Sequence, residues 1–93
     1  MGLPKLFEVG RYAVFFWSNE EGEPIHVHVS IKRPSTVSAK IWLTEDGGFI
    51  VAENDIIPRS NISTLLNILR DNHEDICDEW KKFFNTDTIK FYC

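Results

Sequence analysis

The chain has 93 residues, 43% of them hydrophobic and 13% aromatic, and a formal net charge of −4. A chain of this length and composition is expected to fold as one globular domain, residues 1–93, around a single core. The acidic charge argues against a surface devoted to nucleic acid, although a local basic patch is compatible with it. No apolar run approaches the ~20 residues that span a bilayer, so we expect no membrane segment and a cytoplasmic location.

The β-rich first half, residues 1–55, predicts an antiparallel meander of about five strands. Turn-forming residues separate the strands at Gly10, Ser18–Pro24, Arg33–Ser35 and Asp46–Gly48. The second strand, 11–18, is apolar on both faces and is expected near the centre of the sheet. Strands are predicted over 6–9, 11–18, 25–32, 39–44 and 49–52.

Residues 60–84 predict one or two helices, because apolar residues recur there at helical spacing and form one stripe. Ser60 is the predicted N-cap, and Asp71-Asn72 marks a point where two helices would divide. Residues 88–93 alternate again, which predicts either a sixth strand or an ordered tail. With the helices packed on one face of the sheet, the fold class is α+β in two layers.

Two of the three histidines, His26 and His28, lie two residues apart in a β-branched run. Side chains alternate along a strand, so both imidazoles share one face. The valines between and after them are expected to face the helices, which leaves the histidines on the open, exposed face. The same alternation adds Lys32, Lys40 and Trp42 to that face. The sequence therefore predicts an exposed basic patch that attracts a phosphate or stacks a base.

Three interpretations of the histidine pair remain open. In the first, His26 and His28 are catalytic acid–base residues, and Lys32, Lys40 and Trp42 bind the anionic substrate. In the second, the pair binds a metal together with the nearby Glu23. In the third, the imidazoles are exposed strand residues that pack against Trp17 or Trp42. The sequence requires no cofactor.

The third histidine, His73, falls on the apolar stripe of the helical segment. It is expected to be partly buried and hydrogen-bonded, because buried polar groups are generally paired. Only a dimer or a strongly curled sheet would bring it to the His26 and His28 face. Cys77 and Cys93 are too few and too far apart for a disulfide framework, so each is expected to be structural or a free thiol.

Several segments together resemble a small bacterial family of domains of unknown function. They are Ser18-Asn19-Glu20, Glu23-Pro24, His26-Val27-His28-Val29, Ala39-Lys40-Ile41-Trp42-Leu43, and Trp80 with Phe84. The resemblance implies motif or orienting roles for Ser18, Asn19, Glu20 and Glu23. It also implies a toxin–antitoxin-like component with a protein partner encoded nearby. The chain departs from the family pattern at Thr44–Gly48, where the family has a proline-bearing segment.

Two functions from different classes follow. One is a phosphate- or RNA-directed, ribonuclease-like site on the His26 and His28 face, with RNA as the partner. The other is a non-catalytic protein-binding module in a two-protein complex, which docks its partner through Tyr12, Trp17 and Trp42, since aromatic residues concentrate at interface centres. A metal-binding domain is a variant of either function.

Overall fold

The computed structural model describes residues 5–17 and 22–91. Five antiparallel strands form one sheet in chain order: β1 Lys5–Val9, β2 Tyr12–Phe15, β3 His26–Ile31, β4 Ala39–Leu43 and β5 Phe49–Glu53. Two helices follow, α1 Arg59–Asp71 and α2 His73–Phe83. The predicted α+β class and the five-stranded meander are confirmed.

The strand connections use glycine where the backbone must adopt a left-handed conformation. Gly10, with φ of 58°, lies in the two-residue turn between β1 and β2, and Gly47, with φ of 91°, lies in the turn between β4 and β5. These turns set the register of Val9 opposite Tyr12 and of Leu43 opposite Phe49. The doubly apolar β2 is buried on both faces, although β3 rather than β2 is the middle strand.

The core lies between one face of the sheet and the two helices. Val27 and Val29 of β3 face it, as their alternation predicts, and both are fully buried. The other core residues from the sheet and its margins are Tyr12, Val14, Phe16, Ile25, Ala39, Ile41 and Leu43, and those from the helical half are Ile57, Leu65, Leu69, Ile76, Trp80 and Phe84. Residues of even number in β3 and β4, including both histidines, lie on the second face.

The helix boundaries differ slightly from the prediction. α1 has Pro58 as its N-cap, with φ of −57°, and the Pro58 carbonyl accepts a hydrogen bond from the Asn61 N–H at 2.8 Å. The predicted N-cap, Ser60, therefore lies inside the first turn. The predicted break is confirmed: α1 ends at Asp71, and the Asn72 side chain donates to the Ile68 carbonyl at 2.8 Å before α2 begins.

The end of the described chain is an ordered tail and not a sixth strand. The Ile25 N–H donates to the Lys90 carbonyl at 2.7 Å, and Ile89 and Phe91 pack against the core. A single backbone bond does not make a ladder. Cys93 lies outside the described residues.

The two edge strands of the sheet differ in character. β1 includes Lys5 and Glu8 in its sequence, and its register with β2 shifts between Lys5 and Phe7. β5 has no charged residue before Glu53, and Ile50 is 38% exposed. The register of β5 with β4 also shifts, between Lys40 and Ile41, so both edge strands are irregular and they differ mainly in charge. Within the described ranges, no helix is long and apolar enough to cross a bilayer.

Candidate functional site

His26 and His28 lie side by side on the second face of the sheet, as their spacing predicts. Their ring centroids are 5.0 Å apart and the rings are nearly perpendicular. The predicted exposure of the pair is wrong, because His26 is 0% and His28 only 8% exposed. The imidazoles are thus part of an enclosed layer and not of an open patch.

Aromatic rings surround both imidazoles. Phe15 is the cross-strand partner of His28 and stacks on it with ring centroids 5.6 Å apart, and the centroid of the tilted Trp17 ring lies 6.1 Å from that of His28. Trp42 is the cross-strand partner of His26, with ring centroids 5.1 Å apart, and Trp80 of α2 lies 5.6 Å from the same imidazole. We call these six residues the aromatic–imidazole cluster: Phe15, Trp17, His26, His28, Trp42 and Trp80.

Hydrogen bonds fix the orientation of the two rings. The Nδ1 atom of His26 lies 2.9 Å from the Pro24 carbonyl oxygen. A carbonyl only accepts, so Nδ1 carries the hydrogen and donates it. The Nδ1 atom of His28 lies 3.4 Å from the Ser38 hydroxyl oxygen, in the connection between β3 and β4. These contacts hold the imidazoles in place as a buried polar network does.

Lys40 and Trp42 lie beside the histidines, as predicted, but the lysine charge is already engaged. The Lys40 ammonium lies 3.4 Å from a Glu23 carboxylate oxygen and 4.4 Å from the centroid of the Trp42 ring. Glu23 thereby offsets the charge that was expected to attract an anion. Lys32 follows the last residue of β3 with φ of 70° and is exposed. Ser18, Asn19 and Glu20 lie outside the described residues.

The expected metal set of His26, His28 and Glu23 does not form a cluster. Over residues 5–17 and 22–91, no three or more histidine, cysteine, aspartate or glutamate side chains lie close enough together to hold a metal ion. Glu23 contacts Lys40 instead.

His73 is a partly buried, hydrogen-bonded histidine, as predicted. Its Nε2 atom donates to the Thr44 carbonyl at 2.9 Å, and its ring lies 5.4 Å from Phe49 and 6.1 Å from Phe91. Nδ1 then accepts the weak thiol bond of Cys77 at 3.8 Å. Burial raises the pKa of the Cys77 thiol, and the negative charge of Asp78 adds to this effect. The thiol is a packing group and not an activated nucleophile.

Tyr12 does not belong to the second face, which corrects the predicted docking surface of Tyr12, Trp17 and Trp42. Tyr12 is 6% exposed in the core under α1, and its hydroxyl oxygen accepts a hydrogen bond from the Asn61 side chain at 3.0 Å. The alternation of β2 puts Tyr12, Val14 and Phe16 on the helix side. Tyr12 was grouped with the two tryptophans because all three are aromatic, without regard to the face of the sheet on which each side chain lies.

A groove between β1 and α2 is a surface feature that the sequence reasoning missed. It has a volume of about 660 Å³. Its apolar lining residues are Leu6, Phe7, Ile68 and Ile76, and its carboxylates are Glu8, Asp75, Asp78 and Glu79, with Asn72 and Lys82 beside them. We call this the acidic groove. The signal for it was present in the sequence, because Asp75, Asp78 and Glu79 are spaced by three and four residues and share one helix face.

Comparison with known proteins identifies a family but no function. The family model described as a domain of unknown function (DUF4160) matches residues 12–81. No curated protein and no solved structure matches the chain. The matched region includes β2 to β5, α1 and nearly all of α2, and with them both histidines of the aromatic–imidazole cluster. Because the match covers more than half of the chain, this protein belongs to the DUF4160 family of domains of unknown function.

Proposed function

We propose that the chain is a non-catalytic protein-binding module that acts in a two-protein complex. The observation that supports this most directly is the enclosure of His26 and His28, which are 0% and 8% exposed. A general acid or base must lie within hydrogen-bonding reach of the proton that it transfers. Imidazoles packed against four aromatic rings fill and orient the second face of the sheet, and they do not present a proton to a substrate.

The charge around the pair supports the same assignment. Lys40 is paired with Glu23 and lies over the Trp42 ring. Its positive charge is therefore partly offset and attracts an incoming anion less strongly. The whole chain has a net charge of −4, which repels a polyanion. The phosphate- or RNA-directed function stays a second candidate. It is favoured by the cross-strand register, which sets Lys40 opposite His28 and Trp42 opposite His26.

One substitution separates the two candidates. His28 has the only residual exposure in the pair, so any proton transfer to an outside substrate must pass through it. We expect His28→Phe to retain the stacking on Phe15 and the fold, and to bind the protein encoded by the neighbouring gene as tightly as the wild type does. Complex formation is measured by co-expression, size-exclusion chromatography and light scattering, with His28→Ala as the variant that loses the ring contact.

The RNA-directed function predicts instead that His28→Phe abolishes activity. Wild-type protein that cleaves total RNA or arrests growth, beside a folded His28→Phe variant that does neither, would overturn the binding-module assignment. Circular dichroism of both proteins is the control for folding. The binding-module function is supported if wild type and His28→Phe give the same result in the RNA-cleavage and growth assays and both form the complex with the partner protein.

A further inference from the structure

We propose that the acidic groove binds an extended segment of the partner protein in which basic and apolar residues alternate. This inference rests on the proposed function, since it names the chemistry of the partner that the module takes. The groove lies beside β1 on one side and α2 on the other, with Ile68 of α1 in its lining. It is separate from the aromatic–imidazole cluster, whose residues are absent from its lining.

The apolar lining gives the segment a surface to bury against. Leu6 and Phe7 of β1 line the groove together with Ile68 and Ile76 of the helices. Ile76 belongs to the core, and Leu6 and Phe7 pack against it. A volume of about 660 Å³ is in the range of sites that hold several side chains of a ligand. Contact between apolar side chains of the partner and this lining would remove both from water.

The charge of the groove selects a basic partner. Asp75 and Asp78 form no ion pair with any of the described residues, and the Lys82 ammonium lies 3.4 Å from a Glu79 carboxylate oxygen. Burial of uncompensated carboxylates under a neutral or acidic segment would be costly. Lysine or arginine side chains of the partner supply the compensating charge and steer its approach.

The position of β1 favours an extended segment over a helix. Within the described ranges β1 is the outermost strand on its side of the sheet, so the groove follows a sheet edge. A chain that binds along such an edge adopts a strand conformation and directs alternate side chains to opposite sides. One set then meets Leu6 and Phe7, and the other meets the carboxylates of α2.

The test uses a defined probe and a charge-matched control. The probe is the peptide acetyl-Lys-Leu-Lys-Val-Lys-amide, titrated into ¹⁵N-labelled full-length protein and followed by amide chemical shifts. We expect shifts at β1 and at Ile68 and Ile76, and a loss of affinity of about tenfold or more in Asp75→Lys/Asp78→Lys. The control Asp55→Lys/Asp87→Lys changes the net charge equally at exposed sites outside the groove and should change the affinity less than about twofold.

Several results would overturn the inference. The first is an absence of chemical-shift changes at millimolar peptide, and the second is an equal loss of peptide affinity in the two double-lysine variants. The third is binding of acetyl-Glu-Leu-Glu-Val-Glu-amide as tight as that of the basic peptide. The fourth is a dimer of this chain that the Asp75→Lys/Asp78→Lys substitutions dissociate. The first three exclude a basic segment, and the last makes a second copy the occupant. A complex with the neighbouring gene product that survives Asp75→Lys/Asp78→Lys would refute the groove as its site and leave the binding-module function intact.

Discussion

At the scale of single residues, the β4–β5 turn shows how a side chain sets a local charge. The Asp46 carboxylate accepts hydrogen bonds from the Thr44 hydroxyl and from the Gly48 N–H, the latter at 3.2 Å. The Thr44 bond is the largest cause that holds the pKa of Asp46 below its ordinary value of 3.8, and the Gly48 bond adds to it. Both bonds favour the ionised form over the protonated one.

We predict that Thr44→Val raises the pKa of Asp46 toward 3.8. Because the pKa is depressed in the folded state, this carboxylate stabilises the fold above the unfolded value, and its contribution is lost as the pH falls through the folded pKa. The acid side of the stability profile should therefore flatten in Thr44→Val. An NMR titration of the Asp46 carboxyl carbon measures the pKa, and Asp46→Asn, which still accepts both bonds but does not titrate, is the control. An unchanged Asp46 pKa in Thr44→Val would contradict the assignment.

The face on which His26 and His28 lie could be predicted from the sequence, but their burial could not. Strand alternation correctly puts His26 beside Trp42 on the face away from the core. It does not predict that the histidines are enclosed, because one of the covering rings, Trp80, is 54 positions away and reaches His26 from α2. Burial on a second face depends on such distant contacts and not on local pattern.

At the scale of elements, one polar contact joins β2 to α1 through the core. The Asn61 side chain donates to the Tyr12 hydroxyl at 3.0 Å, and Tyr12 is 6% exposed. Hydrogen bonds of this kind contribute about 1 kcal/mol net, and a buried group left without its partner costs more. The contact therefore couples a strand to a helix 49 positions away.

We predict that Tyr12→Phe lowers the free energy of unfolding by about 1–2 kcal/mol. In a double-mutant cycle with Asn61→Ala, the coupling energy should be about 0.5–1.5 kcal/mol. Urea denaturation of the four proteins measures it. Asn67→Ala on the same helix is the control, because Asn67 contacts the exposed Arg70 and its cycle with Tyr12→Phe should be additive. Additivity in the Asn61 cycle would mean that the contact does not join the two elements.

Element types and most boundaries follow from periodicity and turn chemistry. The change from a two-residue to a 3.6-residue repeat after residue 55 separates sheet from helices, and Asp71-Asn72 correctly divides α1 from α2. The N-cap was misplaced by two residues, because Pro58 lies at the N-cap position that was predicted for Ser60. The acidic face of α2 was readable in the sequence, but its relation to β1 required the fold.

At the scale of the whole molecule, the tail joins the end of the described chain to Ile25, the residue that precedes the middle strand. The bond from Ile25 to Lys90 and the packing of Ile89 and Phe91 secure it. We predict that ending the chain after Thr88 lowers the free energy of unfolding by about 2–4 kcal/mol, from one backbone bond and two partly buried apolar side chains. Thermal and urea unfolding measure the loss. The full-length Ile89→Ala/Phe91→Ala variant measures the contribution of the two side chains alone. An unchanged unfolding midpoint in the shortened chain would show that the tail does not stabilise the fold.

The contrast between the two sheet edges limits how copies of this protein can assemble. Association through the edge of β5, which has no charged residue before Glu53, would join two copies head to head, as an isologous pair. The outer edges of that pair would both be β1, the edge strand whose sequence carries charges within it. Growth would then end at two copies, whereas a head-to-tail contact of β5 on β1 would continue into a fibre. Since both edge strands are irregular, it is the charge of the first strand that would favour a closed pair of these acidic chains over an open fibre.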